Sequence, residues 1–310
     1  MESSLKILFA GCGDIGLRTI TKLQAVDSDP MWQVLAMRRN QAKLPKGIDS
    51  VVGDVRDSDG LWKLLEDKGI YALVVTLTPS DMSDEGYRDS YVMAAQSIKA
   101  AVEKCSQPPS LIIWVSSTGV YGQSEGEWVD ELAEASPTSF RGKRLLEAER
   151  IIDSLSVASV VVRFSGIYGP GRNRLINQVK RGELASELPV TWTNRIHAED
   201  CAGVIAYLLG KFSRGKCLEK GYIATDNEPV PAHEMQHWLA NEMGLEPGDN
   251  SKGSEYSSSK NNSSEITQPI KPRAGSRRCS NQRLLKSGYE FLYPTYREGY
   301  RALLNEDTGD

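Results

Sequence analysis

An apolar run broken only by Lys6, from Leu5 to Ala10, leads straight into glycines. Apolar residues at helical spacing follow, Leu17, Ile20 and Leu23. A short run that is apolar on both faces suits a strand covered by helices on both sides of a sheet. The alternation continues along the chain. Apolar runs predict strands over 32–37, 48–52, 71–77, 111–115 and 159–164, and helical spacing predicts helices over 61–68, 87–104 and 143–155. In the last of these, Leu145, Leu146, Ile151, Ile152 and Leu155 form one apolar stripe. Strands alternating with helices point to an α/β fold, a doubly wound parallel sheet with right-handed crossovers.

Beyond Gly169 the pattern thins. Helical runs over 201–209 and 235–243 flank one more strand, 221–225. The reading is a core over 1–168 and a smaller substrate-side part over 169–310, with the late strand returning to the main sheet. Residues 251–264 are rich in serine and asparagine without an apolar period, which predicts a flexible loop. Aromatic and apolar residues return over 281–300 and are expected to pack back on the body. No internal repeat is visible.

Composition narrows the classes of function. The chain has 310 residues, 40% hydrophobic and 25% charged, as in an ordinary soluble globular protein. A net charge of −4 gives no reason to expect nucleic acid or an acidic membrane as partner. No apolar stretch approaches the roughly 20 residues that span a bilayer. The first strand begins by Leu5, which leaves no room for a signal or transit peptide ahead of it. Cys12, Cys105, Cys201, Cys217 and Cys279 are scattered without C-x-x-C spacing, as expected of a reducing compartment. The expected location is cytoplasmic.

The glycines carry the first chemistry. Gly11-Cys12-Gly13-Asp14-Ile15-Gly16 is G-x-G-x-x-G between a strand and a helix, where a dinucleotide-binding turn sits. Gly11 allows the tight turn, Gly13 lets backbone approach a pyrophosphate, and Gly16 lets the helix pack closely on the strand. Asp14 and Ile15 open that helix and belong to the expected cofactor site. An ordinary βα turn also carries glycine, so the flanking strand and helix are what raise the match. NAD-binding folds place an acidic residue at the end of the second strand, ~20 residues on, to hold the ribose 2′-hydroxyl. Here no acid lies between Asp29 and Asp49, and the strand ends in Arg38-Arg39. Two guanidiniums suit the 2′-phosphate of NADP, although a solvated basic loop reads the same way and NAD remains possible. Asp54 and Val55, after the third strand, are placed to touch the adenine. Thr76 and Thr78, at the end of the fourth, border the cofactor across the switch point.

Four later stretches resemble the extended short-chain dehydrogenase/reductase family, the nucleotide-sugar epimerase and dehydratase group. Val115-Ser116-Ser117-Thr118-Gly119-Val120-Tyr121-Gly122 looks like its serine strand, and Arg163 to Arg172 like its R-x-x-x-x-Y-G-P-G-R stretch. Arg195-Ile196-His197-Ala198-Glu199-Asp200 is similar to its I-H-V-x-D helix start, and Gly53 to Asp57 to its G-D-x-x-D. The resemblance implies a Rossmann core, NAD(P) and a small carbonyl or alcohol substrate. Two features depart from it. Ala10 takes the place of the first glycine in the family's G-x-x-G-x-x-G. The tyrosine of its Y-x-x-x-K is missing: no tyrosine lies between Tyr121 and Tyr168, and Ser139 stands four residues before Lys143. Such sequences are similar to an atypical, epimerase-like subgroup. In the family that tyrosine is the general acid/base, its pKa lowered by the lysine and the cofactor's charge. A serine hydroxyl cannot replace it. Ser117 remains to orient a substrate oxygen and Lys143 to hold the nicotinamide ribose. His197, Lys143, Tyr121 and Tyr168 are the open candidates for proton donor.

Other residues carry weaker signals. His233-Glu234-Met235-Gln236-His237 matches the zinc pattern H-E-x-x-H, but a third ligand would have to come from the serine-rich stretch, so no metal is expected. Arg172 and Arg195 either grip an anionic substrate group or pair with local acids. Trp114, Trp128, Phe140 and Trp192 are expected in the core or as pocket wall. Two classes of function stay open. One is an NADP-dependent oxidoreductase or epimerase-like enzyme, monomeric or homodimeric. The other is a catalytically silent dinucleotide-binding sensor or protein-interaction module.

Overall fold

The computed structural model describes residues 4–25, 31–40, 44–245 and 276–306. The serine-rich stretch 251–264 lies outside them. The chain begins β1 (Leu5–Ala10), α1 (Asp14–Ala25), β2 (Trp32–Arg38), β3 (Ser50–Val52), α2 (Ser58–Lys68) and β4 (Ala72–Val75). It continues through α3 (Asp84–Tyr87), a π-helical turn over Arg88–Val92, α4 (Met93–Lys104), β5 (Leu111–Ser117) and a 3₁₀ turn over Thr118–Val120. Next come β6 (Trp128–Val129), α5 (Phe140–Asp153), β7 (Ala158–Phe164), β8 (Gly166–Tyr168), α6 (Arg174–Lys180), β9 (Trp192–Thr193) and β10 (Arg195–His197). The remainder is α7 (Ala198–Ser213), β11 (Gly221–Ala224), β12 (Val230–Pro231), α8 (Ala232–Glu242), β13 (Arg278–Cys279), α9 (Gln282–Lys286) and α10 (Tyr296–Glu306).

Seven strands form one sheet in the order β3-β2-β1-β4-β5-β7-β11, every pair parallel. This is the doubly wound Rossmann architecture. Ile7 to Ala10, Ala72 to Val75 and Leu111 to Trp114 are all buried, because helices cover both faces of the sheet. On one face Leu61, Leu65, Ile98, Leu145 and Ile152 from α2, α4 and α5 pack together. On the other, Ile20 and Leu23 of α1 meet Val204 and Leu208 of α7. A third cluster joins α6, α8 and α10 around Tyr168, Met235, Leu239, Tyr296 and Tyr300. Among the described residues no helix is long and apolar enough to cross a membrane.

Two local departures from the periodic reading bear on function. The helical run expected over 87–104 starts at Asp84 and passes through the π turn before α4. π turns are rare and concentrate at functional sites. The segment 276–279, meanwhile, is threaded between two distant stretches. Gly126 N donates to Ser276 O at 2.9 Å and Arg278 N to Glu127 O at 2.8 Å. From the other side Asn194 Nδ2 donates to Arg277 O at 2.9 Å, and its Oδ1 accepts from Cys279 N at 2.7 Å. Arg278 lies over the rings of Trp128 and Trp192, 5.1 and 4.8 Å from their centroids. Trp114 is core as expected, whereas Trp128 is 57% exposed.

Candidate functional site

Sequence order in the sheet reverses at β1, which has β2 on one side and β4 on the other. The crevice at their C-terminal ends is a topological switch point, where ligands bind in open α/β sheets. Gly11 has φ +72°, and a Cβ there would collide with Leu77. Only glycine meets both demands. A Cβ on Gly16 would lie 3.1 Å from Thr76 Oγ1 and 3.2 Å from Cys12 Sγ, so α1 sits hard against the sheet. Thr76 closes the turn, its N–H donating to Ala10 O at 3.0 Å and its hydroxyl to Gly11 O at 3.3 Å. Over Gly13 the space is open, since a Cβ would meet nothing nearer than Gly11 O at 3.7 Å. Asp14 begins α1 and is matched by two guanidiniums, Arg18 at 2.9 Å and Arg172. Its charge is therefore offset before any phosphate approaches. Ile15 is buried beneath it, and burial pushes the Cys12 thiol up to about 11.

Arg38 ends β2, and its carbonyl accepts from Gly53 N at 3.1 Å. Its charge acts on Cys12, while that of the exposed Arg39 acts on Asp54. Asp54 is held by Arg56, with Nη2–Oδ2 at 2.7 Å and Arg56 N donating to Oδ1 at 3.0 Å. Those bonds keep its carboxyl below the usual range. Val55 is buried beside it. The structure thus gathers Gly11, Gly13, Asp14, Ile15, Gly16, Arg38, Arg39, Asp54, Val55 and Thr76 around one crevice.

A cavity of about 740 Å³ lies farther along the same strand ends. Leu77, Thr78, Ser117 and Ser165 line it, with Tyr87, Tyr91 and Phe140 as an aromatic wall. Ser117 Oγ accepts from Gly119 N at 3.1 Å, which fixes the side chain and leaves its own proton free to donate. Behind the serine strand stands a buried strut. Ser116 Oγ donates to Glu149 Oε1 at 2.5 Å, and Arg163 Nη2 pairs with Glu149 Oε2 at 2.7 Å. Arg163 Nη1 donates in turn to the Tyr121 hydroxyl at 2.7 Å.

The start of α5 reaches the cavity at close quarters, since a Cβ on Gly142 would collide with Gly119 O. Ser139 is the N-cap of α5, its Oγ accepting from Gly142 N at 3.2 Å, and it also lines the cavity. From the helix, Arg141, Gly142 and Leu145 line the cavity. Lys143 does not. At 100° per residue it points to the opposite side from Arg141 and Leu145. There it is exposed, close enough to Asp84 for its charge to act on that carboxyl. Arg141, not Lys143, is the basic residue of α5 on the cavity wall.

Three of the four candidate proton donors are committed to other contacts, Tyr121 among them although it lines the cavity. Tyr121 donates its hydroxyl to Asp130 O at 2.8 Å, and burial pushes the phenol up to about 12. Tyr168 is buried, stacked on Tyr300 with centroids 4.4 Å apart, outside the cavity lining. His197 caps α7, its Nδ1 accepting from Glu199 N at 3.1 Å, and burial lowers its pKa to about 4. It packs between Tyr168 and Tyr293 as a neutral ring. Arg172 pairs with Asp14, and Arg195 lies beneath Gly166 with its Nε buried and unpartnered; neither lines the cavity. His233 and His237 have ring centroids 6.4 Å apart, and among the described residues no group of three potential ligands converges on them.

The sequence reading missed Tyr87, Tyr91, Arg141, Ser165, Arg174 and Arg277, all on the cavity wall. Asp84 and Arg144 form a two-pronged ion pair, 2.8 and 2.9 Å, that clamps α3 onto α5. That clamp seats the Tyr87 ring edge-on against Phe140, centroids 5.8 Å apart. Tyr87 and Ser139 thus line the same cavity. Its i,i+4 spacing to Tyr91 was the one available sequence signal.

A family profile described as the RmlD substrate binding domain matches residues 7–307. A structure from Methylobacillus flagellatus, assigned as an NAD-dependent epimerase/dehydratase, is 37% identical. The match covers 98% of this chain and 99% of that one, with a TM-score of 0.76. The UDP-glucose 4-epimerase of Thermus thermophilus, in complex with NAD, is 16% identical over 98% of this chain and 99% of that one, TM-score 0.73. The dTDP-glucose 4,6-dehydratase DesIV of Streptomyces venezuelae, with NAD and TYD bound, is 17% identical over 96% and 94%, TM-score 0.72. These last two share the fold. No curated protein matches the chain. A profile spanning nearly every residue, and a relative this similar over both full lengths, place the chain in the RmlD substrate binding domain family, within the short-chain dehydrogenase/reductase-like epimerases and dehydratases.

Proposed function

We propose that the protein is an NADP-dependent oxidoreductase or epimerase-like enzyme acting on a small carbonyl or alcohol substrate. The observation that carries this reading is that the glycine turn and the cavity holding Ser117 both lie at the C-terminal ends of neighbouring central strands, with Leu77 packed against Gly11 and also on the cavity wall. The open space over Gly13 and the N-terminus of α1 suit a pyrophosphate. Arg38 and Arg39 suit a 2′-phosphate, and the epimerase and dehydratase relatives are described with NAD. When bound, the dinucleotide supplies or accepts hydride at its nicotinamide.

The chain's own residues do the rest. Ser117 orients the substrate oxygen with the proton its cap bond leaves free. Tyr87 is the proton donor, because its ring lines the cavity while its hydroxyl has no hydrogen-bond partner among the described residues. Arg141 lies 5.9 Å from that ring's centroid and keeps a positive charge beside it. Leu77, Phe140 and Leu145 limit water around the reacting atoms. The cysteines are unpaired, in keeping with a cytoplasmic location.

The displaced Lys143 and the serine at 139 favour a second reading, a dinucleotide sensor without turnover. Calorimetry with NADPH and NADH, followed by a panel of carbonyls and alcohols, separates the two. Tighter NADPH binding with turnover supports the enzyme; binding without turnover across the panel supports the sensor. Failure to bind either dinucleotide would sink both.

A further inference from the structure

The glycine turn carries a charge that works against the ligand expected there. Asp14 is the first residue of α1, beside Gly13, where the helix N–H groups face any pyrophosphate in the crevice. An acidic side chain suits that helix end when nothing is bound, because the helix dipole favours it. Beside a pyrophosphate it is a like charge at short range, close to the buried strand ends Ala10 and Val75.

The ion pairs around Asp14 show how this is met. Arg18, one turn on, pairs with Asp14 Oδ1 at 2.9 Å, but its Nη1 is also bonded to Glu199 Oε1 at 2.5 Å. Lys22 pairs with the other oxygen of Glu199 at 2.8 Å. In this group from α1 and α7 the two cations and the two carboxylates cancel. Arg172 tips the balance to positive. Its Nη1 bonds Asp14 Oδ2, the oxygen that Arg18 does not use.

Arg172 comes from outside the βα units that make the turn. It stands 158 residues from Asp14 in sequence and follows β8. Its N–H donates to Gly169 O at 3.0 Å, which closes the loop. A Cβ on Gly169 would lie 3.0 Å from Ala198 Cβ, so the loop is seated on the start of α7. On either side of it Ser165, Ile167 and Arg174 line the cavity. One stretch therefore serves both the cavity wall and the glycine turn.

We infer that Arg172 is a positioning residue for the dinucleotide: by neutralising Asp14 it makes the glycine turn receptive to a pyrophosphate, and cofactor affinity is governed from the loop that borders the cavity. This rests on the reading of the glycine crevice as the dinucleotide site. A part-exposed ion pair contributes little to stability. The same pair beside a bound anion decides whether that anion meets a negative or a positive edge.

Calorimetric titration of the full-length protein with NADPH and with NADH tests this, on the wild type, Arg172→Ala, Arg172→Lys, Asp14→Asn and the double variant Asp14→Asn/Arg172→Ala. Arg172→Ala should weaken both dinucleotides by about tenfold and in the same proportion, because both carry the pyrophosphate. Arg172→Lys should keep most of the affinity. The double variant should return to within about threefold of the wild type, since the charge that needed neutralising is gone. Asp14→Asn alone leaves the loop intact and should bind both dinucleotides at least as tightly as the wild type. Unchanged affinity in Arg172→Ala would overturn the inference. So would a loss confined to NADPH, which would put Arg172 at the 2′-phosphate, or a loss that Asp14→Asn does not repair, which would make Arg172 structural. Weaker binding in Asp14→Asn would overturn it too, whether or not the arginine variants fold. Each of these, found with a wild type that binds, counts against this inference alone; a wild type that binds neither dinucleotide removes it together with the dinucleotide reading.

Discussion

The two ends of this crevice were built in different ways. At the dinucleotide end, Gly11, Gly13, Gly16 and Thr76 come from adjacent βα units whose register the sheet dictates. At the substrate end, Tyr87, Ser117, Arg141, Ser165 and Arg277 come from five separate stretches held by side-chain clamps. A site made within a βα unit preserves its pattern along the chain. One assembled across elements leaves no such pattern, because its members are far apart in sequence.

The strongest way to break that contrast is at the substrate end. Tyr87→Phe and Ser117→Ala should each lower turnover by roughly 10²- to 10⁴-fold while leaving NADPH affinity nearly unchanged. Steady-state kinetics on whichever carbonyl the panel identifies, paired with calorimetry, checks both quantities. Turnover unmoved by Tyr87→Phe would return the proton donor to the unassigned.

The neutral His197 gives a prediction about stability. A group bound neutral in the fold, at about 4 against its ordinary 6.5, favours folding fully above pH 6.5. That contribution, on the order of 3 kcal/mol, is lost as pH falls from 6.5 toward 4. Urea midpoints across this range should decline more steeply for the wild type than for His197→Asn, whose amide can still cap α7. Parallel slopes would show that His197 is protonated in the native protein.

At the dinucleotide end, changing Arg38 and Arg39 together to Ala should weaken NADPH by ~10-fold or more and NADH far less. Equal affinities for the two cofactors in the wild type would remove the basis for an NADP preference. The smallest effect is expected at Lys143. Its replacement by Ala should change turnover and cofactor affinity by less than about twofold, whereas Arg141→Ala should reduce turnover. A large loss from Lys143→Ala would restore the family's lysine role and show that the helix turns on binding.

Much of the fold was legible because the central strands are buried on both faces, so their apolar runs are continuous. The edge strand β3 was overestimated, and the π turn was invisible because its residues keep helical spacing. The glycine turn was legible for the same local reason. Arg277 was not, for nothing in Arg277-Arg278 tells which guanidinium turns inward; the carboxamide of Asn194, far away in sequence, decides it. Lys143 is not on the cavity wall, and i,i+4 spacing from Ser139 fixes a shared helix face only if both residues lie in the helix. Ser139 is the cap.

The threading of 276–279 also has a consequence for biosynthesis. All seven strands of the main sheet are translated by Ala224, so the glycine crevice can form on the nascent chain before Arg277 exists. The Gly11 turn is thus on the chain before the segment that places Arg277 on the cavity wall. The ribosome therefore delivers the parallel sheet first and the last piece of the cavity wall after it.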